Sequence, residues 1–254
     1  MVAVTKAIDL NADLGEDESV DGIARDIAIM DIVSSCNIAC DGHAGSPETM
    51  RAMLVAAKAK GVAAGAHPSY PDRANFGRVS MEINPTALKA SLLKQVKAIK
   101  AIAADTETEI THLKPHGALY NDAQDDEALA DIVVAVAQAE KLALVSMAGS
   151  TLHRKANENS VRFVAEAFID RRYTKYSRLV PRAEDGAVIA NDADRVVQGL
   201  ALAQGNLIAA DNPSQIILAD TLCLHSDSEG ALATAKAIRH ALELEGISIA
   251  APTQ

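Results

Sequence analysis

The chain has 254 residues, 49% of them hydrophobic but only 3% aromatic, with no Trp and a formal net charge of −10. That length is ample for one large α/β core, and the apolar content is mostly Ala, Val, Leu and Ile. An acidic chain poor in aromatics suits neither phosphate backbones nor stacked bases, so nucleic acid is excluded as an expected partner.

The first nine residues lack the apolar run of a signal peptide, and no stretch of about 18 apolar residues exists. The expectation is a soluble cytoplasmic protein with no membrane span. Cys36, Cys40 and Cys223 make an odd count without a secretion signal, which predicts reduced thiols. The Cys36-x-x-x-Cys40 spacing is not that of a zinc knuckle and has no second pair, so these are read as small buried hydrophobes.

Residues 7–13 alternate, with Ile8, Leu10 and Ala12 against Asp9, Asn11 and Asp13. This period of two predicts a strand whose polar face carries two carboxylates and an amide. Gly15-Glu16 follows at once. The polar face is expected to look inward near a site, with Asp13 closest to its open end and Glu16 a secondary candidate. Residues 21–33 read as a helix, and 34–40 as a second strand containing Asn37. The loop through His43 then meets Ser46-Pro47, an N-cap followed by a first-turn proline. That helix stops at Gly61.

Residues 62–66 form an uncharged buried strand that leaves through His67 and a long shaped loop to Arg78. Pro85 opens a helix with Leu88, Leu92, Val96 and Ile99 on one face. Residues 111–114 are a fourth strand, and Leu129 to Val136 mark the helix beyond it. Strands five and six are placed at 143–147 and 161–165, the sixth exiting into Glu166 and on to Arg171. Residues 174–186 lack periodicity. A helix is expected at 192–204, a small hairpin at 206–217, a seventh strand at 219–224 leaving at His225, and a closing helix at 231–244.

Strand and helix alternate seven times with no linker, which predicts one domain over 1–254 with a parallel sheet. An open doubly wound sheet and a closed barrel both fit. The polar strand exits favour the barrel: Asp13, Asn37, His67, Lys114, Glu166 and His225 would surround one mouth.

The densest chemistry lies in residues 111–121, THLKPHGALYN. Pro115 disfavours a helix at Lys114, and Gly117 allows a sharp turn. Lys114 and His116 then face the same way, about 7 Å apart. There is no Walker A loop, no Gly-x-Gly-x-x-Gly and no Gly-x-Ser-x-Gly. His112 and His116 would stand about 13 Å apart on an extended chain, too far to share a metal. Two kinds of site fit. Asp13, His43 and His67 could meet over a divalent metal. Alternatively, Lys114 and His67 or His116 could act without metal, polarising a carbonyl and moving protons.

The segments DLNADLGE at 9–16, NIACDGHAG at 37–45 and GAHPSYPD at 65–72 form an ordered series. FGR at 76–78, KPHGALYN at 114–121, EAFIDRRY at 166–173, LVPR at 179–182 and CLHSD at 223–227 complete it. Together they resemble the LamB/YcsF family, which includes the A subunit of prokaryotic 5-oxoprolinase, over nearly the whole chain. The resemblance implies an irregular seven-stranded (β/α) barrel of the glycoside hydrolase/deacetylase type. It further implies ATP-dependent opening of 5-oxoproline to glutamate with B and C subunits, ATP being a co-substrate of the complex with its Mg. Asp13, His43, His67, Lys114 and His116 would be catalytic. Asn11, Asn37, Tyr120, Glu166, Arg171 and His225 would bind substrate. The chain departs from the family pattern at Asp41 and Gly42, at Val79 where a second Arg is usual, and at Ser226 where Gly is usual. The alternative readings are a metal-dependent carbohydrate deacetylase or hydrolase, or a non-catalytic subunit that binds small molecules.

Overall fold

A computed structural model describes residues 7–209, 212–215, 217–225 and 230–252. In chain order the elements are β1 (Ala7–Leu14), α1 (Val20–Ile29), β2 (Ser35–Ala39), α2 (Pro47–Lys60), β3 (Ala63–His67) and α3 (Pro85–Asp105). Then come β4 (Ile110–Leu113), α4 (Gly117–Asp122), α5 (Glu127–Glu140), β5 (Ala143–Met147), α6 (Thr151–Glu158) and β6 (Phe163–Phe168). The last are α7 (Asp192–Ala203), β7 (Leu207–Ala209), β8 (Asn212–Gln215), β9 (Thr221–His225), α8 (Ala231–Leu244) and β10 (Ser248–Ile249).

Strands β1 to β6 and β9 run parallel, each beside the next, and β9 returns to pair with β1. The sheet therefore closes into a seven-stranded (β/α) barrel. Two short additions lie outside the ring. β10 pairs in parallel with the start of β1, and β7 with β8 forms the antiparallel hairpin expected at 206–217.

The alternation in β1 explains how the barrel is layered. Ile8, Leu10, Ala12 and Leu14 are buried in the apolar core. Asp9, Asn11 and Asp13, on the opposite face, reach polar groups of other strands inside the barrel. From the helix side, α2 buries Met50, Met53, Leu54 and Ala57, while α3 buries Leu88, Leu92, Val96 and Ile99. Each fully buried Leu, Ile or Val contributes about 1.5–3 kcal/mol relative to exposure. Ser46 Oγ accepts from Thr49 N, and Gly61 at φ 67° ends α2, as its caps predict.

The elements differ from the sequence expectation in several places, and α4 and β10 are short elements it does not contain. α6, capped by Ser150, is an addition; the helix is short and carries only Leu152 and Ala156 buried, too few to set a period. The sixth strand runs Phe163–Phe168 rather than 161–165, so Glu166 sits inside the strand instead of in its exit loop. The register explains this: Glu166 pairs with Thr221 and Met147, and so stays within the ladder.

Candidate active site at the barrel mouth

Lys114 leaves β4 extended and points inward, with 2% of its surface exposed. Its Nζ donates to Asp13 Oδ1 at 2.8 Å and lies 2.8 Å from Glu166 Oε1 and 3.2 Å from Cys223 Sγ. Burial opposes the ammonium charge, but the surrounding groups, Asp13 foremost, hold its pKa well above the ordinary lysine value. Burial likewise opposes the Asp13 carboxylate, and His67 and Lys114 outweigh it, holding Asp13 well below the carboxylate range. Cys36 and Cys40 are free, buried thiols, as expected; Cys223 is also buried but touches the lysine.

Asn11 and Asn37 sit one layer deeper and do not line the mouth pocket. Asn37 Nδ2 donates to Asp13 Oδ1 and Asn11 Oδ1, and Asn11 Nδ2 donates to Glu166 Oε1 and Thr221 Oγ1. These amides orient the carboxylates that hold Lys114. His112 occupies the same layer, its Nε2 2.9 Å from Asn37 Oδ1, and burial pushes it down to about 4.

A second group forms where three loops cross the mouth. Glu16, His43, His67 and His116 each present one donor atom, all within 4.8 Å of one another. His116 Nδ1 lies 3.0 Å from His67 Nε2 and 3.1 Å from Glu16 Oε1; His43 Nε2 lies 3.0 Å from the same oxygen. The rings of His43 and His116 stack at 3.5 Å. Burial pushes His43 down to about 3 and lowers His116 too, which favours the uncharged form of both rings. Of the candidate metal set Asp13, His43 and His67, the two histidines stand with Glu16 and His116, while Asp13, 3.4 Å from His67 Nε2, sits under Lys114. The reason is geometric. Gly15 turns at φ 74° and brings Glu16 back over the mouth, while Asp13 stays in the strand under the ammonium.

These two groups form one wall of a pocket of about 700 Å³ at the C-terminal ends of the strands. Arg78, Arg171 and Arg182, together with Tyr120, Phe168 and His225, line the rest. Arg171 Nη2 donates to the Val180 carbonyl at 2.7 Å, and its buried Nε has no hydrogen-bond partner. His225 Nδ1 is 2.7 Å from Asp170 Oδ2; burial opposes its charge, but Asp170 raises its pKa. Arg78, Asp170 and Arg182 stand within the sequence motifs, but nothing in the motifs alone gives them a role. Arg182 lies in a stretch without periodicity, where only the fold reveals a direction.

Of the departures from the family pattern, Gly42 lies beneath Ser69 and Gln95, where a Cβ would come within 2.2 Å of Gln95 Oε1. No larger residue fits there without repacking. Asp41 is exposed and accepts from Arg73, and Val79 is exposed. Ser226 lies outside the described residues.

Comparison with known proteins supports the fold and shows the family. The A subunit of a 5-oxoprolinase from Paracidovorax citrulli is 43% identical over 246 residues, covering 95% of this chain and 98% of the relative. The crystal structure of a lactam utilization protein from Thermus thermophilus is 36% identical with a TM-score of 0.90, over 97% of this chain and 100% of that one. A family 4 carbohydrate esterase from Streptomyces lividans, 12% identical with a TM-score of 0.53 over 98% of this chain and 93% of that one, shares the fold alone. The LamB/YcsF family itself matches residues 8–254, from the second residue of β1 to the end, and the chain belongs to that family.

Proposed function

We propose that this chain is the ring-opening subunit of an ATP-dependent 5-oxoprolinase, working with B and C subunits to convert 5-oxoproline to L-glutamate. The observation that carries the reading is the division of the pocket: three arginines line it together with the Asp13–Lys114 pair, which Glu166 backs from beneath. A cyclic amide bearing a carboxylate needs both parts, a cationic seat for the acid and a charged, dry wall for the amide. The 43% identical relative bears the same activity in its name.

An unactivated lactam resists hydrolysis, so ATP is the co-substrate of the complex. Phosphoryl transfer to the lactam oxygen releases ADP and makes the ring carbon electrophilic. Water then adds to that carbon. Protonation of the ring nitrogen makes the amine the leaving group, so the ring opens to an acyl phosphate, and a second water releases phosphate and glutamate. Without that proton, phosphate leaves first and the lactam re-forms. This chain has no Walker A loop, and the reading puts the nucleotide chemistry wholly or partly with the partner subunits.

The residues divide accordingly. Arg171 and Arg182 seat the carboxylate. Lys114, its donors already committed, offsets negative charge on the activated oxygen through its field. His225, its pKa raised by Asp170, delivers the proton to nitrogen. His67 and His116 are less suited to that task, because one nitrogen of each ring faces a backbone carbonyl and the other faces the Glu16 group.

The test is reconstitution with B and C subunits from a relative, measuring glutamate and phosphate release. The chain alone should show no 5-oxoproline-dependent ATP hydrolysis, and the complex should release glutamate and phosphate together. Turnover by the chain alone would refute the division of labour; a complex with no glutamate release would refute the substrate.

A further inference from the structure

We propose that Glu16, His43, His67 and His116 form a binding site for one divalent transition-metal ion of the zinc class. His67 Nδ1 is 2.8 Å from the Lys114 carbonyl oxygen, and His116 Nε2 is 3.0 Å from the Phe76 carbonyl oxygen. A carbonyl only accepts, so each of these nitrogens carries the hydrogen. In the uncharged form of each ring the other nitrogen is a bare lone pair. Those two lone pairs, His67 Nε2 and His116 Nδ1, face each other at 3.0 Å.

Glu16 Oε1, also an acceptor, lies 3.1 Å from His116 Nδ1 and 3.9 Å from His67 Nε2. With both rings uncharged, three acceptors converge with no proton between them, an arrangement that is repulsive unless a cation sits among them. Asp13 Oδ2, 3.4 Å from His67 Nε2, supplies no proton either. His43 Nε2 lies 3.0 Å from Glu16 Oε1, and because its ring stacks parallel on His116 at 3.5 Å, a turn of the His43 ring is needed to bring this nitrogen in as the fourth donor. His43 Nδ1 is buried without a partner, so no neighbour dictates which nitrogen carries the hydrogen.

The surroundings match a metal centre. Backbone carbonyls that fix ring tautomer and direction are the usual outer partners of ligating histidines. Bonds of roughly 2.0–2.2 Å to zinc set tetrahedral donor atoms about 3.4 Å apart. The separations of 3.0, 3.1 and 3.9 Å bracket that spacing. Phe76 closes the outer side, edge-on to both His43 and His116. Gly77, at φ 62°, lets the loop wrap the rings: a Cβ there would stand 3.0 Å from His43 Cβ and 3.1 Å from His116 Cδ2. Three imidazoles and one carboxylate select zinc, cobalt or nickel over magnesium or calcium. Glu16, His67 and His116 line the pocket, which leaves the pocket side for a water or a substrate oxygen.

The test reads binding without turnover. Chelator-treated full chain is titrated with Zn²⁺ and with Co²⁺ by calorimetry, and the visible absorption of the Co²⁺ form is recorded. One equivalent should bind, with the intense d–d bands of a low-coordinate site and a rise in Tm. Mg²⁺ at the same concentration should not bind. His67→Gln and His116→Gln should weaken Zn²⁺ at least tenfold, and Glu16→Gln, which keeps the side-chain volume, serves if either histidine variant fails to fold. His240→Ala, on the exposed face of α8, should bind like the wild type. Absence of stoichiometric Zn²⁺ and Co²⁺ binding, or binding unchanged in Glu16→Gln and the folded histidine variants, overturns the proposal. The site does not rest on the lactam reading: failed metal binding leaves that reading standing, and an inactive complex leaves the metal site standing.

Discussion

Asp13 and Lys114, 101 residues apart in sequence, meet inside the barrel with Nζ 2.8 Å from Oδ1 and 3.1 Å from Oδ2. Sequence reasoning alone suggests that Asp13→Asn leaves stability nearly unchanged. The structure reverses that expectation, since the substitution removes half the counter-charge of a buried ammonium. Removing one member of a buried pair costs roughly 3–5 kcal/mol, and Glu166, which remains, places the loss near the lower figure. Urea unfolding of Asp13→Asn at pH 7 should show it, and adding Lys114→Met should restore part of the loss. A wild-type midpoint in the single variant would remove Asp13 from this network.

The barrel layer that supports the site should be acid-sensitive through His112. Its folded pKa, about 4, lies below the ordinary value of 6.5, so the unfolded chain takes up a proton the native one refuses. The stability from keeping it neutral is present above about pH 6.5 and is lost as pH falls toward 4. At pH 5 the loss from this one group is about 2 kcal/mol, from 1.36 kcal/mol per unit. His112→Gln removes the titration and keeps a polar group facing Asn37. The fall in stability between pH 7 and pH 5 should be about 2 kcal/mol smaller in the variant; an equal fall in both proteins would contradict the assignment.

Gly65 in β3 makes room for that histidine. A Cβ at this position would lie 2.2 Å from His112 Cδ2 and Nε2. Gly65→Ala should therefore destabilise by about 1–3 kcal/mol as an overpacked core position. Gly61→Ala meets no atom within 4 Å and tests φ strain alone. Thermal unfolding of Gly65→Ala combined with His112→Ala should recover most of the loss. A Gly65→Ala Tm that stays low in the double variant would place the clash elsewhere.

The carboxylate seat predicts a specificity change. In the reconstituted complex, Arg171→Ala should raise KM for 5-oxoproline at least tenfold, while 2-pyrrolidinone, which lacks the carboxylate, should be unaffected. The measurement is the ratio of kcat/KM for the two lactams, and an unchanged ratio would remove Arg171 from substrate recognition. A charge-assisted, bidentate contact is worth more than a neutral one, so Arg171→Lys should fall between.

His225 should set the basic limb of the rate. Burial opposes its charge, but Asp170 outweighs burial and raises the pKa above the ordinary value of 6.5, so the proton-donating form persists to higher pH than in a free imidazole. Asp170→Asn removes that support and should move the basic limb of kcat to lower pH. A pH profile identical to the wild type would assign the proton to another group.

Much of this molecule is written in local sequence. The alternation of Ile8, Leu10 and Ala12 with Asp9, Asn11 and Asp13 fixes which face of β1 packs on helices and which turns inward, because successive side chains point to opposite sides. Ser46-Pro47 and Gly61 bound α2 because caps act over a single turn. The polar exits at His67, Lys114 and His225 mark the mouth for the same local reason. Grouping within the mouth was decided only by tertiary structure. Whether Asp13 or Glu16 joins the histidines depends on the turn at Gly15 and on closure of β9 against β1, a pairing between residues more than 200 apart in sequence. Arg182 and Glu166 reached their places through a non-periodic loop and a strand register. Neither leaves a local pattern, because a loop without periodicity sets no direction for Arg182 and the partners of Glu166, Asn11 and Lys114, are distant in sequence.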